Sequence, residues 1–410
     1  MDNVKDSLSR TSVNKGKIFA MRERSSPREM SRREFLGDCA RYSLLFSSLA
    51  SISTLFPFGK GAEAFNIRRE WGLIKTKLSP YYTPLEGKQI RCELCPTACV
   101  VSDGERGYCE VRENRNGKYY SLVYGNPVTW HIDPIEKKPF YHVLPASGSF
   151  SIATTGCNFD CKFCQNYEIS QARPEDTANF DMPAELVVAA AKKAGCKSIA
   201  STYVEPTIFC EYMYDIGVLT RDTGILNVCH SNGYINQKPL KALCKVLDAA
   251  CIDLKGFTEE YYRNITEGTL QPVLETLKTL KEEGVHVEIV NLVVPTKNDD
   301  IDQIRQMCLW IKEELGPDTP IHFSRFYPMY KLRNLPPTPV STLERARKVA
   351  LSVGLEYVYI GNVPGHEGEN TYCPRCKKLL IQRIGYRILQ NHLIGRKCRY
   401  CGHSLPGIWT

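Results

Sequence analysis

The sequence predicts an α/β fold: a partial or open (β/α) barrel over residues 148–370, with an N-terminal Cys-rich region and a C-terminal zinc ribbon. Three observations carry this expectation. From residue 148 onward, short runs rich in β-branched and aromatic residues alternate with amphipathic stretches, the pattern of a parallel sheet with helical crossovers. Of 18 cysteines in 410 residues, eleven fall in three tight groups with metal-ligand spacing, which suits a metalloprotein better than a disulfide scaffold. Hydrophobic and charged contents of 43% and 24% are those of a globular protein and exclude a disordered or fibrous chain.

Taken in order, residues 1–64 read as a leader. Arg32-Arg33 precede an apolar stretch at 42–58, and Ala62-Glu63-Ala64 supplies a small-x-small cleavage pattern. The paired arginines resemble a twin-arginine signal, a route that carries proteins already folded around their cofactors. The alternatives are a buried helix or a membrane anchor, but the stretch is short for a spanning helix and has Pro57 near its end. The expected location is the periplasm, with the cytoplasm as the alternative. Residues 65–147 are rich in Cys, Gly, Pro and aromatics, with little helical period.

Barrel strands are predicted at 149–155, 198–204, 225–230, 250–254, 285–294, 321–326 and 356–360, near-continuous apolar runs as strands buried on both faces should be. Helices are predicted at 181–194, capped by Asp181, and at 270–283, stopped by Gly284. A third, at 298–315, puts Ile301, Ile304, Cys308, Ile311 and Leu315 on one face. The active site of such a barrel belongs at the C-terminal ends of its strands. Six scattered cysteines (Cys196, Cys210, Cys229, Cys244, Cys251, Cys308) sit mostly in apolar runs and read as buried small hydrophobes.

The net charge of +8 is uneven. Residues 371–410 hold eight Lys/Arg and no Asp/Glu, and residues 1–64 hold eleven against seven, so the middle of the chain is slightly acidic. A general nucleic-acid-binding surface is therefore not indicated. The basic tail suits RNA, an acidic partner or an anionic membrane; the simpler reading is a solvated cap on the barrel.

Directly after the first predicted barrel strand comes Gly156-Cys157-Asn158-Phe159-Asp160-Cys161-Lys162-Phe163-Cys164. Three thiolates this close can wrap one face of an iron–sulfur cube. An electron-carrying cluster has four cysteine ligands, and no fourth follows here, so one iron stays open for substrate. Phe159 and Phe163 are placed to shield such a cluster from water.

This stretch resembles the radical S-adenosylmethionine (SAM) enzymes, whose loop of this spacing holds a [4Fe-4S] cluster. The resemblance implies that the open iron on Cys157, Cys161 and Cys164 chelates the amino and carboxylate groups of SAM. Reductive cleavage would then yield methionine and a 5′-deoxyadenosyl radical for hydrogen abstraction. Later strand ends are similar to those of pyruvate formate-lyase-activating enzymes. Glu205, in Thr202-Tyr203-Val204-Glu205, would face the SAM amino group, with Tyr203 and Val204 replacing the family's glycines. Asn232 lies in His230-Ser231-Asn232-Gly233, where His230 replaces an acid; Asp253-Leu254-Lys255 matches Asp-Leu-Lys, whose lysine helps hold SAM. Val293-Val294-Pro295 and Asn298-Asp299-Asp300 match a segment near the adenine. His131, Tyr203, His322 and Arg325 are candidates for the substrate pocket.

Cys92-Glu93-Leu94-Cys95-Pro96, Gly107-Tyr108-Cys109, Asp133-Pro134-Ile135-Glu136-Lys137-Lys138-Pro139, Cys164-Gln165-Asn166, Ser170-Gln171-Ala172 and His322-Phe323-Ser324-Arg325-Phe326 resemble the radical SAM enzyme of the AmmeMemoRadiSam system. That likeness implies an electron donor and Memo-like and AMME-domain protein partners. The activase likeness implies a protein substrate.

Two flanking groups complete the cysteines. Cys92, Cys95, Cys99 and Cys109 offer four thiolates for zinc or an auxiliary iron–sulfur cluster. Cys373, Cys376, Cys398 and Cys401 form two Cys-x2-Cys knuckles 21 residues apart, the pattern of a zinc ribbon. A reading from another class is an exported iron–sulfur electron carrier or metal-binding module without SAM chemistry. It requires a fourth ligand at the central triplet.

Overall fold

The computed structural model describes residues 67–410; the leader expected at 1–64 lies outside them. Two small antiparallel sheets come first. One joins β2 (Lys77–Leu78), β7 (Lys118–Ser121) and β6 (Arg112–Arg115); the other joins β3 (Tyr82–Pro84), β4 (Ile90–Cys92) and β5 (Val100–Val101). They present the N-terminal cysteines on β4 and the loops that follow.

The main sheet has eight strands in the order β16-β15-β14-β13-β12-β11-β9-β8. They are β8 (Thr129–Pro134), β9 (Gly148–Ala153), β11 (Ser198–Ser201), β12 (Leu226–Ser231), β13 (Ala249–Asp253), β14 (His286–Val293), β15 (Ile321–Arg325) and β16 (Val358–Gly361). Strands β9 and β11 to β16 run parallel, while β8 runs antiparallel to β9 and closes one edge; β10 (Ala178–Phe180) pairs instead with β1 (Arg69–Trp71) in a separate two-stranded antiparallel sheet. The sheet is open, with β8 and β16 at its borders. The seven parallel strands match the predicted ones to within a few residues. Strand β8 was not predicted: its sequence Thr-Trp-His-Ile-Asp-Pro is polar enough for an edge, and it carries the sheet back across residue 148.

Helices Ala184–Lys193, Gln271–Glu282 and Ile301–Glu314 fall inside the predicted stretches. The expected Asp181 cap is replaced. That helix starts after Pro183, whose fixed φ suits helix entry, and Asp181 instead pairs with Lys75 at 2.5 Å. Asp300 caps the helix Ile301–Glu314, accepting from the amides of Asp302 and Gln303. Ile199, Ile252, Ile289 and Phe323 join the helix residues Val187, Leu277 and Ile311 in the main core, where five of the six scattered cysteines are buried as expected, Cys251 being buried in the inner-face cluster instead.

On the inner face of the sheet, Ala200, Val228, Cys251 and Val290 meet Ile135, Phe140 and Val143 from the segment that joins β8 to β9. This segment fills the bottom of the barrel. Glu288 gathers it, accepting from the amides of Tyr141 (3.0 Å) and His142 (2.8 Å) and pairing with His322 Nε2 at 2.8 Å. Residues 371–410 carry their own strands, β17 (Thr371–Tyr372), β18 (Leu379–Ile384), β19 (Arg387–Asn391), β20 (Leu393–Ile394) and β21 (Lys397–Cys398). They also dock onto the same floor. Ile408 N donates to His142 O (2.8 Å), and the guanidinium of buried Arg383 lies 4.1 Å from the Tyr141 ring centre. Among the described residues, no helix is long and apolar enough to cross a membrane.

Candidate active site and metal centres

The cysteine loop leaves β9 through Gly156, at φ +91°, where a Cβ would lie 2.7 Å from the Cys109 carbonyl oxygen. Only glycine fits that approach. Backbone bonds then fix the loop from several sides: Gly156 N to Ile169 O (2.9 Å), Lys162 N to Ile265 O (2.9 Å) and Lys331 N to Lys162 O (2.9 Å). Phe159 and Phe163 are buried, and Phe159 packs against Gly268, where a Cβ would sit 2.2 Å from its ring. Phe159 N donates to Cys157 Sγ (3.4 Å), and Ser170 Oγ lies 3.3 Å from Cys164 Sγ. Burial pushes the Cys157 and Cys161 thiols up, Cys161 to about 12, so these thiols hold protons that metal binding would release.

The loop stands over the C-terminal strand ends, where the sequence places the site. Besides one another, Cys157 has the charge of Glu205 beside it, and Cys161 has Lys255 and Asp253. Glu205 is buried and already engaged. Its Oε1 accepts from Thr207 N (2.9 Å) and Ser231 Oγ (2.7 Å), and its Oε2 from Asn232 N (2.7 Å). Burial pushes its carboxyl up, and these donors oppose that. Asn232 in turn donates through Nδ2 to Asn158 Oδ1 (2.8 Å) and accepts from Tyr234 N (2.9 Å). Asp253 bridges His230 Nε2 and Lys255 Nζ, both at 2.9 Å. Burial works against both charges. Asp253 and Cys161 nevertheless hold the Lys255 pKa above its ordinary value, and Lys255 and His230 hold Asp253 below its own. Asn291 and Asn298 donate to the carbonyls of Leu254 and Lys255, each at 2.7 Å, and so fix the exit of β13.

A second polar cluster lies on the inner face. Asp133 pairs with Lys137 (2.9 Å) and buried Lys138 (2.6 Å) and accepts from Tyr203 OH. Burial outweighs Asp133 and pulls Lys138 down to about 8. Tyr203 holds φ +66°, a strained conformation that Asn166 Nδ2 secures by donating to its carbonyl (2.6 Å), and its ring stands edge-on to His131. The hydroxyls of Ser149 and Ser198, on neighbouring strands, are buried without a hydrogen-bond partner among the described residues. Of the candidate pocket residues, His131 and Tyr203 thus meet, whereas His322 belongs to the floor with Glu288. Arg325 is turned aside, its Nε donating to Thr338 O (2.8 Å). Sequence reasoning missed the roles of Asn158 and the Asp133–Lys138 pair. The Asp133–Pro139 segment was legible only as a family likeness.

Cys373, Cys376, Cys398 and Cys401 bring their sulfurs within 4.8 Å of one another, with Cys373–Cys401 at 3.6 Å and Cys376–Cys398 at 3.7 Å. Four sulfurs about 2.3 Å from a tetrahedral zinc would stand about 3.8 Å apart, so the group fits a zinc ribbon. The Cys92, Cys95, Cys99 and Cys109 group sits against the central loop. Tyr108 N donates to Cys99 Sγ (3.3 Å), Tyr108 OH donates to Glu267 (2.7 Å), and Arg112 lies beside Cys92 and Cys109. Arg112 is itself buried and paired with Glu211 (2.8 Å and 2.5 Å). A cleft of about 570 Å³ between β16 and the ribbon is lined by Tyr357, Tyr359, Tyr372 and the ribbon's own Cys373, and by none of the central or N-terminal cysteines.

The Radical SAM superfamily model matches residues 151–308, which span the cysteine loop and the ends of β11 to β13. The uncharacterised protein MJ0808 of Methanocaldococcus jannaschii is 47% identical over 327 residues, 79% of this chain and 97% of that protein. Among solved structures, a radical SAM methyltransferase from Sphaerobacter thermophilus covers 72% of this chain and 81% of its own, at 12% identity and a TM-score of 0.44. A domain of the pyruvate-formate lyase-activating enzyme of Bacteroides vulgatus covers 40% of this chain and 98% of its own, at 14% identity and a TM-score of 0.36. With the superfamily match lying on the segment that holds three thiols over the strand ends, the chain belongs to the radical SAM superfamily.

Proposed function

We propose that this protein is a radical SAM enzyme whose Cys157, Cys161 and Cys164 hold a [4Fe-4S] cluster with one iron open to SAM. Bound there, cluster and SAM would supply a 5′-deoxyadenosyl radical for hydrogen abstraction. The observation that carries this reading is the neighbourhood of Cys161. Beside it stand Lys255 and Asp253, an ion pair at 2.9 Å whose charges suit an amino acid's carboxylate and ammonium. The chain's own residues then divide the work. Lys255 and Asp253 orient the amino-acid end of SAM, while Phe159 and Phe163 exclude water. Glu205, held by Thr207, Ser231 and Asn232, keeps the ends of β11 and β12 in register beneath the loop.

We infer a protein or peptide substrate, as the activase-like strand-end motifs suggest, and a low-potential electron donor. Memo-like and AMME-domain partners and twin-arginine export follow from the sequence motifs and stand as proposals of the same kind, as does zinc at Cys373, Cys376, Cys398 and Cys401. Anaerobic reconstitution of the full chain with iron, sulfide, SAM and dithionite, followed by chromatography for 5′-deoxyadenosine, tests the reading. Product from the wild type and none from Cys161→Ala supports it. A reconstituted cluster that yields no product with any reductant would favour an electron carrier.

A further inference from the structure

We propose that Cys92, Cys95, Cys99 and Cys109 hold a second iron–sulfur cluster, not zinc, and that it passes electrons to the central one. The chain contains its own standard for comparison. Among the described residues, the C-terminal four sulfurs are the group of possible ligands drawn together to within 4.8 Å, close to the dimensions zinc imposes. Among the described residues, neither the N-terminal four nor the central triplet is drawn together to that spacing. Thiolates that bind different corners of a cube must stand wider than thiolates that share one ion. Ligand type allows either metal, so spacing decides.

Placement argues for the relay. The Cys109 carbonyl abuts Gly156, the residue before Cys157, so closely that no side chain fits between them. Asn158, one residue after Cys157, faces Cys95 and bonds Asn232. Tyr108, one residue before Cys109, lies beside Cys157 and Asp160. The two cysteine groups therefore share a wall one residue thick on either side of Cys157. Asn236 locks it from the barrel, donating through its amide to Leu94 O (3.0 Å) and through Nδ2 to Glu93 O (2.8 Å).

The step is a one-electron transfer with no atoms exchanged. A reduced ferredoxin-class protein, or dithionite in vitro, is oxidised by one electron as the N-terminal cluster is reduced. That cluster returns to its oxidised state when the central cluster takes the electron. The relay half rests on the radical SAM reading; the cluster half does not.

The test uses the full chain with Cys157, Cys161 and Cys164 all changed to Ala, reconstituted anaerobically with iron and sulfide. Metal analysis and low-temperature EPR after dithionite supply the readout. About four irons per chain and a reduced-cluster signal are expected from this variant, and about eight irons from the wild type. Adding Cys92→Ser and Cys95→Ser should remove the remaining iron. About four irons in the wild type, none in the triple variant and two zinc ions per chain would overturn the proposal. Should the triple variant fail to fold by circular dichroism, the wild-type count of eight or four decides alone. With both clusters reduced, the wild-type EPR spectrum should be broader and faster-relaxing than the sum of the triple variant's and that of Cys92→Ser with Cys95→Ser in the otherwise wild-type chain. A simple sum would overturn the relay. SAM cleavage enters none of these measurements, so its failure stays separate.

Discussion

Glu205→Gln separates a residue that contacts SAM from one that holds the strand ends together. Both carboxylate oxygens are acceptors here. Oε1 takes Thr207 N and Ser231 Oγ, and Oε2 takes Asn232 N. A glutamine keeps one oxygen and replaces the other with a donor. Turned one way, its NH₂ meets the Asn232 amide; turned the other way, it meets the Thr207 amide. Ser231 can rotate its hydroxyl to accept, but a backbone N–H cannot, so one buried amide is orphaned in either orientation. An unsatisfied buried donor costs about 1–3 kcal/mol, to which the loss of charge assistance adds, so about 2–3 kcal/mol is expected. The assay is hydrogen exchange at the Thr207 and Asn232 amides without SAM. One of the two should exchange about 30- to 150-fold faster, with amides on β15 unchanged. Unaltered exchange at both, combined with weakened SAM binding, would refute the argument and return Glu205 to the role implied by family resemblance.

Further outcomes are expected elsewhere. Arg112→Leu should cost about 3–5 kcal/mol by stranding buried Glu211, while Arg112→Leu with Glu211→Leu should recover much of that in denaturant titrations. Lys138 is depressed to about 8, so the native state binds fewer protons than the unfolded chain between about pH 8 and the ordinary lysine range. Stability should therefore rise with pH across that window in the wild type relative to Lys138→Met, as read from unfolding midpoints. Gly268→Ala places a Cβ 2.2 Å from the Phe159 ring and should cost about 1–3 kcal/mol, with faster bleaching of the reconstituted cluster in air. Cys376→Ser should lower bound zinc by one ion per chain and expose the segment after β16 to limited proteolysis, because the ribbon and the floor share Arg383 and His142.

The parallel strands were legible because burial on both faces makes their sequences continuously apolar, and the helices because their apolar positions repeat every third or fourth residue. The central triplet and the ribbon knuckles were legible because their ligands are local. What escaped depends on partners far along the chain. Strand β8 alternates polar and apolar residues as an edge strand does, and nothing local distinguishes it from a loop. The role of Glu205 is set by Ser231 and Asn232, which reach it through the adjacency of β11 and β12. Tyr203 fills the place of a glycine only because Asp133 and Asn166 hold its ring and carbonyl, and neither is adjacent in sequence.

The floor of the barrel has a consequence for how the molecule is assembled. It joins His142 to Pro406 across 264 positions, Tyr141 to Arg383 across 242 and His142 to Tyr359 across 217. Contacts this distant carry a large loop-closure entropy and form slowly. The roof follows another order. Gly156 to Ile169 spans 13 positions and Glu205 to Ser231 spans 26, whereas Lys162 reaches Ile265 across 103 and Lys331 across 169. In refolding, the start of the cysteine loop should thus settle over β9, β11 and β12 early, while its far end, held by Ile265 and Lys331, waits on distant contacts as the underside does. The ribbon, joined to the floor through His142 and Arg383, would seal the underside last.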